Sequence, residues 1–298
     1  MAIYNLGSLN IDLIFAVDRF PAPGETLTAR GLTRGLGGKG ANQSVAAARA
    51  GATVYHIGAV GEDGVWMKDA LQGYGVDVGP VAVLPDAASG QASVYVEPTG
   101  ENMIVIHIGA NGAITGGLLD PALAAAGPGD WLILQNETNF TEEAARAARN
   151  RGMKVAYSAA PFSAAAVDAL LGGIDLLVMN DVESRQLAAA LPGRLPDLAN
   201  VDRLITMGKD GARLVRSGGE EITTPGFAVD AVDTTGAGDT FLGTYIAALD
   251  GGCDPETALR RASAAAAIQV TKRGASSAIP DRQTVDAFLE ERGPSIRR

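Results

Sequence analysis

The chain has 298 residues, of which 47% are hydrophobic and 19% charged, and its formal net charge is −10. This composition is typical of a globular protein with a sizeable core, and it excludes a disordered or fibrous chain. The acidic balance argues against a nucleic-acid partner, and the two arginines at 297–298 are too few for a basic arm.

The cysteine content and the N-terminal sequence indicate a cytoplasmic protein. Cys253 is the single cysteine, so no intrachain disulfide can form, which fits a reducing compartment. The N-terminus has no basic region followed by a long apolar stretch, so we expect no signal peptide. No segment reaches the roughly 20 apolar residues that span a bilayer, and we expect no membrane partner.

Short apolar runs bounded by glycine or polar residues predict strands, and longer amphipathic or alanine-rich runs predict helices. The predicted strands are 3–9, 53–60, 131–135, 155–158, 176–179 and 203–207, with a hairpin-like segment at 212–227. The predicted helices are 41–50, 64–74, 118–126, 141–151, 164–171, 182–190, 240–249, 255–270 and 281–291. Residues 139–142 have the spacing of a capping box for the fourth of these helices.

Fully apolar strands that alternate with helices predict a parallel sheet covered on both faces. We therefore expect an α/β fold with three layers and a doubly wound, mostly parallel sheet, built as one domain over residues 1–298. Two segments, about 13–34 and 89–107, alternate apolar and polar residues instead, and the second turns at 97–100. They predict a small separate sheet.

Polar residues follow several predicted strands. They are Asn10 and Asp12, Gln135 to Glu137, Asn180 to Glu183, and Thr206 to Gly208. Each cluster alone is compatible with ordinary turn or cap chemistry. Because ligands of an open parallel sheet bind outside the carboxyl ends of its strands, the four clusters together predict a shared site.

A first glycine-rich stretch, 35–40, formally matches G-x-G-x-x-G but does not fit a nucleotide motif. The segment before it is rich in threonine and arginine, and no acidic residue ends a second strand about 20 positions on, so we reject a dinucleotide fingerprint. Lys39 is followed by Gly40 where a Walker loop has Ser or Thr. The turn still suits close approach of a small polar ligand.

A second glycine turn, Gly236-Ala237-Gly238, leads directly into a predicted helix. The first N–H groups of a helix lack internal partners and carry partial positive charge, so the turn suits a phosphate. Asp239 stands at the helix start. From the residues alone it is either a helix cap or a catalytic base beside the phosphate site.

Two segments resemble the signatures of the ribokinase-like (PfkB) carbohydrate kinases: Gly-Gly-Lys-Gly-Ala-Asn at 37–42 and Asp-Thr-Thr-Gly-Ala-Gly-Asp at 233–239. Further segments similar to the family's stand in the same order along the chain, at 7–12, 23–26, 106–111, 180–183, 205–208 and 270–274. The resemblance thus covers essentially the whole chain, and within the family it is closest to the ribokinases.

The resemblance implies ATP-dependent phosphorylation of a primary hydroxyl of a small sugar, with ribose favoured. Alternative acceptors are fructose, a sugar acid or a nucleoside, and a non-catalytic sugar-binding regulator is a further alternative. A sugar phosphate would require a basic pocket, for which the candidates are Arg19, Arg30 and Arg34.

The resemblance also assigns roles to residues. Asp239 is implied to be the base, with the amides of Gly236, Ala237 and Gly238 around the transferred phosphate. Sugar contacts are implied at Asn10, Asp12, Gly38, Lys39, Asn42, Glu137 and Asp239. Nucleotide contacts are implied at Asn180, Glu183, Thr206, Gly208, Gly211 and Gly238.

Two cations and a lid are implied as well. Magnesium would be reached indirectly by Glu183, and potassium would lie beside the phosphate site at Asp233, Thr235, Gln269, Lys272 and Gly274. Ala278 replaces the serine usual at another potassium position. Segments 13–34 and 89–107 would form a lid that closes over the sugar and excludes water, and lids of two subunits would pack together in a homodimer.

Some residues depart from the family's pattern or fall outside it. Asn136, Thr138 and Asn139 make the surroundings of Glu137 more polar than is usual, and Thr244 replaces a small residue. His56 and His107 lie in strand patterns, and we expect them to be structural.

Overall fold

The computed structural model describes residues 1–99 and 101–292. Gly100, which belongs to the turn predicted at 97–100, and the C-terminal arginines lie outside the described residues. The strands are β1 Ala2–Leu6, β2 Asn10–Ala16, β3 Gly31–Gly37, β4 Thr53–Val60, β5 Val81–Val83, β6 Gly90–Val96, β7 Asn102–His107, β8 Trp131–Gln135, β9 Lys154–Ser158, β10 Leu176–Asn180, β11 Asp202–Thr206, β12 Ala212–Val215 and β13 Glu221–Thr224. The helices are α1 Lys39–Arg49, α2 Val65–Gly73, α3 Gly116–Ala122, α4 Thr141–Asn150, α5 Ala164–Leu170, α6 Asp181–Ala190, α7 Leu195–Leu198, α8 Ala237–Asp250, α9 Pro255–Val270 and α10 Arg282–Arg292.

The main sheet has nine strands in the order β13-β12-β11-β10-β9-β8-β1-β4-β5. Its strands from β11 to β5 are parallel, whereas β12 and β13 pair antiparallel at one edge. Successive side chains of a strand point to opposite sides, so apolar strands give the sheet two apolar faces. Helices cover both of these faces. On β1, Ile3 packs in one core with α1, α2, α8 and α9, while Tyr4 and Leu6 pack in the other with α3 to α6. The doubly wound α/β prediction is confirmed.

The second sheet has four strands in the order β3-β2-β6-β7. Its outer pairs are antiparallel and β2 pairs with β6 in parallel. The prediction of a small separate sheet is confirmed, but its bounds were wrong at the start. The strand expected to run to Leu9 ends at Leu6, and β2 already begins at Asn10, because Asn10 and Asp12 pair across to Gly37 and Gly35 of β3.

The predicted capping box at 139–142 is wrong. Helix α4 follows Phe140, whose φ of 66° is left-handed, and no side chain caps its start. The Asn139 side chain instead accepts from the Ile114 amide at 2.9 Å and donates to the Ile114 carbonyl at 3.0 Å. A capping box does exist elsewhere, between Asn180 and Glu183 at the start of α6.

Helices α1 and α8 approach each other closely because Gly243 has no side chain. A Cβ built on Gly243 would lie 2.4 Å from the Gln43 carbonyl oxygen, a distance that no packed structure tolerates. This contact places the start of α8, with Asp239, against the first turns of α1. Within the described residues, none of the helices has the length and hydropathy to span a membrane.

Candidate active site

The carboxylate of Asp239 lies at the junction of α8 and α1 and is only 9% exposed. Its Oδ1 accepts a hydrogen bond from Gln43 Nε2 at 2.9 Å, and its Oδ2 accepts one from Asn42 Nδ2 at 3.2 Å. Burial raises the pKa of Asp239 above its ordinary value, while the Lys39 ammonium and the two amide donors act in the opposite direction. A desolvated carboxylate held by two donors has the position and basicity of a general base.

The glycine turn before α8 has the geometry expected of an anion site. Gly236 has a left-handed φ of 75° and precedes the first helical residue. The Ala237 amide is used within the turn, since it donates to the Thr234 carbonyl at 3.2 Å. The next amides, of Gly238 and Asp239, begin the helix and face the same end, where the helix dipole favours negative charge. The turn can therefore stabilise a phosphate next to the Asp239 carboxylate.

Glu137, Lys39 and Ser8 form a second polar group next to Asp239. Glu137 Oε2 accepts from the Ser8 hydroxyl at 2.5 Å and from the Lys39 backbone amide at 3.0 Å. Burial lowers the pKa of the Lys39 ammonium, but Asp239, Glu137 and Glu183 raise it, and the net shift is upward. Lys39 is therefore a cation among carboxylates. Gly38 immediately precedes it as the N-cap residue of α1.

Asp12 completes the carboxylate group from the small sheet. Burial, and then the neighbouring charge of Glu137, raises the pKa of Asp12 to about 7. Asn10, on the same strand, has its Oδ1 fixed by Asn111 Nδ2 at 2.8 Å. The two sheets thus bring together carboxylates and amides that can pair with several hydroxyl groups.

A cavity of about 660 Å³ opens on the other side of the glycine turn, within the size range of small-ligand sites. Its lining includes four of the six residues expected to contact a nucleotide, Thr206, Gly208, Gly211 and Gly238, but neither Asn180 nor Glu183. Apolar side chains that the sequence interpretation missed, among them Phe227, Val229 and Val270, form the rest of the wall. The cavity can accept a flat ring and direct attached phosphates to the start of α8.

The residues expected to bind potassium lie together beside the glycine turn. Asp233 accepts from the amides of Thr235 and Gly274 at 3.0 and 2.9 Å, and these bonds outweigh burial and lower the pKa of its carboxyl. Gln269 Nε2 donates to the Thr235 carbonyl at 2.7 Å, while the buried Gln269 Oε1 has no partner among the described residues. An ionised carboxylate, carbonyl groups and an unpaired amide oxygen form a donor set that suits a hard monovalent cation. Lys272 donates its amide to the Gln269 carbonyl at 2.9 Å.

Asn180 and Glu183 are joined in the capping box of α6, where each side chain accepts the other's backbone amide at 2.8 Å. The Glu183 charge nevertheless reaches the site, because it acts on Lys39. Among the residues that the structure describes, no three His, Cys, Asp or Glu side chains converge as a metal cluster. Glu183 uses only its Oε2 in the capping box, so its Oε1 is left for another contact. This arrangement fits Mg²⁺, which retains water and takes few protein ligands.

Three side chains to which the sequence interpretation gave no role form hydrogen bonds to predicted site residues. Ser8 binds Glu137, Gln43 binds Asp239, and Asn111 binds Asn10. Gln43 and Asn111 are buried. Two consecutive amides at 42–43 in an alanine-rich helix were the available signal for Gln43. Of the two histidines, His56 is buried with both ring nitrogens hydrogen-bonded, to Ser44 and to Gly7, as expected of a structural residue. His107 is exposed on β7.

Comparison with known proteins agrees with the geometry. The profile of the pfkB family carbohydrate kinases matches residues 3–282. The ribokinase of Haemophilus influenzae is 38% identical, over 96% of this chain and 97% of its own, and the deoxyribokinase of Salmonella typhi is 31% identical, over 97% and 99%. The structure of Arabidopsis thaliana ribokinase complexed with ribose and ATP superposes with a TM-score of 0.85 at 30% identity, covering 97% of this chain and 99% of that one.

Proposed function

This chain belongs to the pfkB family of carbohydrate kinases, and on that basis we propose that it transfers the γ-phosphoryl group of ATP to the primary hydroxyl of D-ribose. One observation carries the proposal: the buried Asp239 carboxylate lies between a cluster of hydroxyl-binding side chains and the helix start that leads to the nucleotide cavity. Relatives named for ribose and deoxyribose kinases support a pentose acceptor.

The chemistry follows from the position of Asp239. Its carboxylate accepts the proton of the acceptor hydroxyl as that oxygen forms a bond to the γ-phosphorus, and the bond from phosphorus to the leaving oxygen of ADP breaks. The amides at the start of α8 stabilise the charge on the transferred group. Asn10, Asp12, Lys39, Asn42 and Glu137 hold the sugar hydroxyls and align the reacting one.

Two cations belong to the proposed enzyme. Potassium would be held by Asp233, Thr235 and Gln269, with the carbonyls of Lys272 and Gly274, and magnesium would be reached through water from Glu183. When bound, magnesium would neutralise charge on the phosphates, and potassium would neutralise the Asp233 carboxylate beside the glycine turn. The residues at both sites offer oxygen donors, as these hard cations require.

The small sheet is proposed to act as a lid and as the contact between two subunits. Outer strand β7 carries Met103, Ile104, Val105 and Ile106, which are 44%, 52%, 60% and 48% exposed. An exposed apolar edge strand is a template for pairing with another chain, and a second copy of the same lid would cover it symmetrically. A homodimer formed in this way would also hold the four-stranded lid of each subunit over its own sugar site.

A sugar-phosphate acceptor is not favoured by the charges on the lid. Arg19 pairs with Glu25, and Arg30 pairs with Asp18 at 3.0 Å. Arg34 lies over the Trp66 ring, 4.7 Å from its centroid. The three arginines are thus engaged with separate partners instead of forming one basic pocket.

A coupled assay of ADP release tests the proposed function. The acceptors are ribose, deoxyribose, fructose, a sugar acid and adenosine, each with and without potassium. We expect the highest kcat/KM with ribose and stimulation by potassium. A nucleoside as the best acceptor would overturn the substrate assignment, and no release with any acceptor would favour a sugar-binding regulator.

The single Cys253 fits the proposed cytoplasmic location, which fractionation of the source cells tests.

A further inference from the structure

Gln43 is a buried side chain on α1 that none of the sugar, nucleotide or cation contacts uses. It is 0% exposed, and its Nε2 lies 2.9 Å from Asp239 Oδ1. Only the amino end of an amide can stabilise an ionised carboxylate, so the orientation of the Gln43 amide determines what this contact does. That orientation is fixed by a chain of hydrogen bonds running through the core behind the site.

The chain begins at a backbone carbonyl, which can only accept. The Gly7 carbonyl oxygen lies 3.1 Å from His56 Nε2, so Nε2 carries the proton. Burial lowers the pKa of His56 to about 4, and the ring is therefore neutral near pH 7 with an unprotonated Nδ1. Nδ1 must accept from the Ser44 hydroxyl at 2.8 Å, which leaves the Ser44 oxygen as an acceptor.

The same logic continues through three amides to the carboxylate. The Ser44 oxygen accepts from Asn5 Nδ2 at 2.9 Å, so the Asn5 carbonyl faces Gln135, whose Nε2 donates to it at 2.8 Å. Gln135 Nε2 also donates to Gln43 Oε1 at 2.7 Å. The oxygen end of Gln43 is thereby occupied, and its amino group must point at Asp239.

From this polarity we propose that Gln43 is a positioning residue for the phosphoryl-transfer reaction: it is a fixed donor that holds Asp239 Oδ1 and leaves Oδ2 to receive the proton. The inference rests on the proposed role of Asp239 as base. Asn42 holds Oδ2 more loosely, at 3.2 Å, and is itself oriented by the Ser276 hydroxyl, which donates to Asn42 Oδ1 at 2.6 Å. Oδ2 is therefore the oxygen available to the acceptor hydroxyl.

The pH dependence of turnover reports on this contact. The charged groups that face Asp239 are Lys39, which favours its ionised form, and Glu137, which opposes it. Glu183 acts in turn on Lys39, and Glu137 also acts on Asp12. Removing the Gln43 donor leaves that set unchanged but takes a hydrogen bond from the ionised form. The acidic limb of kcat/KM then moves to higher pH.

Gln43→Met keeps the length of the side chain and removes the donor. We expect kcat to fall about tenfold, the scale of one hydrogen bond to a charged group. The KM values for sugar and nucleotide should stay within about threefold, because Gln43 lies behind the carboxylate. Gln43→Glu keeps the shape of the side chain and places a second carboxyl beside Asp239. The acidic limb of its kcat/KM profile should therefore lie at higher pH than that of Gln43→Met. The control is Thr244→Val, an isosteric loss of a buried hydroxyl on α8, whose profile should match that of the unaltered protein.

The outcomes separate this inference from the proposed function. If Asp239→Asn retains turnover, the assignment of the base fails. If Asp239→Asn is inactive but Gln43→Met has unaltered kcat and pH profile, only the positioning role is overturned. If both Gln43 variants fail to fold, NMR of the unaltered protein tests the direction of the hydrogen-bond chain. The His56 signals can be assigned because the chain has just two histidines. The ¹⁵N shifts of His56 should show the Nε2–H tautomer and no titration from pH 5.5 to 8; the Nδ1–H tautomer would contradict the hydrogen-bond chain.

Discussion

Asn111 fixes the orientation of Asn10 across the base of the small sheet: Asn111 Nδ2 donates to Asn10 Oδ1 at 2.8 Å. The same side chain accepts from the Leu9 amide at 2.9 Å and donates to the Leu9 carbonyl at 3.2 Å. Asn111 is 1% exposed and follows β7, whereas Asn10 begins β2. With its oxygen engaged, the Asn10 amide presents its amino group to a ligand. The residue that follows β7 therefore holds in place the Asn10 side chain on β2, which we propose as a sugar contact.

Asn111→Leu should raise the KM for the sugar about tenfold, because the Asn10 amide loses its fixed orientation. The KM for ATP should change little, since the nucleotide cavity lies on the other side of the glycine turn. We expect a loss of about 1–3 kcal/mol in the free energy of unfolding from the unpaired Leu9 groups. Steady-state kinetics and urea unfolding measure both effects. Equal increases in the two KM values would contradict the assignment.

Asp239→Asn should lower kcat by a factor of about 10² to 10⁴, the usual contribution of a general base. The asparagine side chain matches the shape of the carboxylate but cannot accept the proton. Calorimetric titration with ATP should give a Kd within about threefold of the unaltered protein, because the nucleotide cavity is lined by other residues. A large loss of nucleotide affinity would indicate a structural role.

Asp12→Asn should have opposite effects on stability and sugar binding. The pKa of Asp12 is raised to about 7, so between its ordinary value and pH 7 the folded protein holds a proton that the unfolded chain releases. The contribution of Asp12 to the free energy of unfolding is present at low pH, and it is lost as pH rises through 7 and the buried carboxyl must ionise. The substitution should therefore raise the free energy of unfolding at pH 8, by a few kcal/mol at most, and have little effect at pH 4. Urea unfolding at both pH values tests this sign, and a higher KM for the sugar should accompany it.

Glu183→Gln separates the helix cap from the magnesium role. Glutamine can still accept the Asn180 amide and complete the capping box, so the unfolding midpoint should hardly change. The magnesium concentration that gives half-maximal activity should rise, because a negative charge is lost. Glu183→Ala removes both functions and should also cost roughly 0.5–2 kcal/mol of stability. Equal magnesium requirements in the unaltered protein and the Gln variant would exclude the metal role.

Val105→Asp on β7 should convert the proposed dimer to a monomer, since it places a charge in the exposed apolar face of the lid. Sedimentation velocity measures the change in mass. The matched control is Val83→Lys, because Val83 is also an exposed apolar residue, on edge strand β5 of the main sheet, and is 40% exposed. A monomeric unaltered protein, or a dimer that survives Val105→Asp, would contradict the lid interface.

Most of the fold and much of the candidate site were predictable from the sequence. Apolar strands alternating with helices identified the doubly wound sheet, because burial on both faces requires apolar residues throughout a strand. The glycine turn at 236–238 indicated an anion site at the start of α8, because a helix start exposes its amides whatever the rest of the fold does. Polar residues after the strands, such as Thr206, indicated the sheet edge at which the candidate site lies.

Only the tertiary structure decided how the polar side chains are paired. Asn139 has the spacing of a cap, yet it binds Ile114, and Asn10 belongs to β2 of the small sheet instead of the end of β1. Gln43 and Asn111 gave no periodic signal, since a single buried amide leaves none. Their roles depend on partners distant in the chain, and the direction of each hydrogen bond depends on which partner can only accept. The sequence by itself thus determined the elements and the glycine turn at the start of α8, whereas the packed structure determined which amide faces the carboxylate of Asp239.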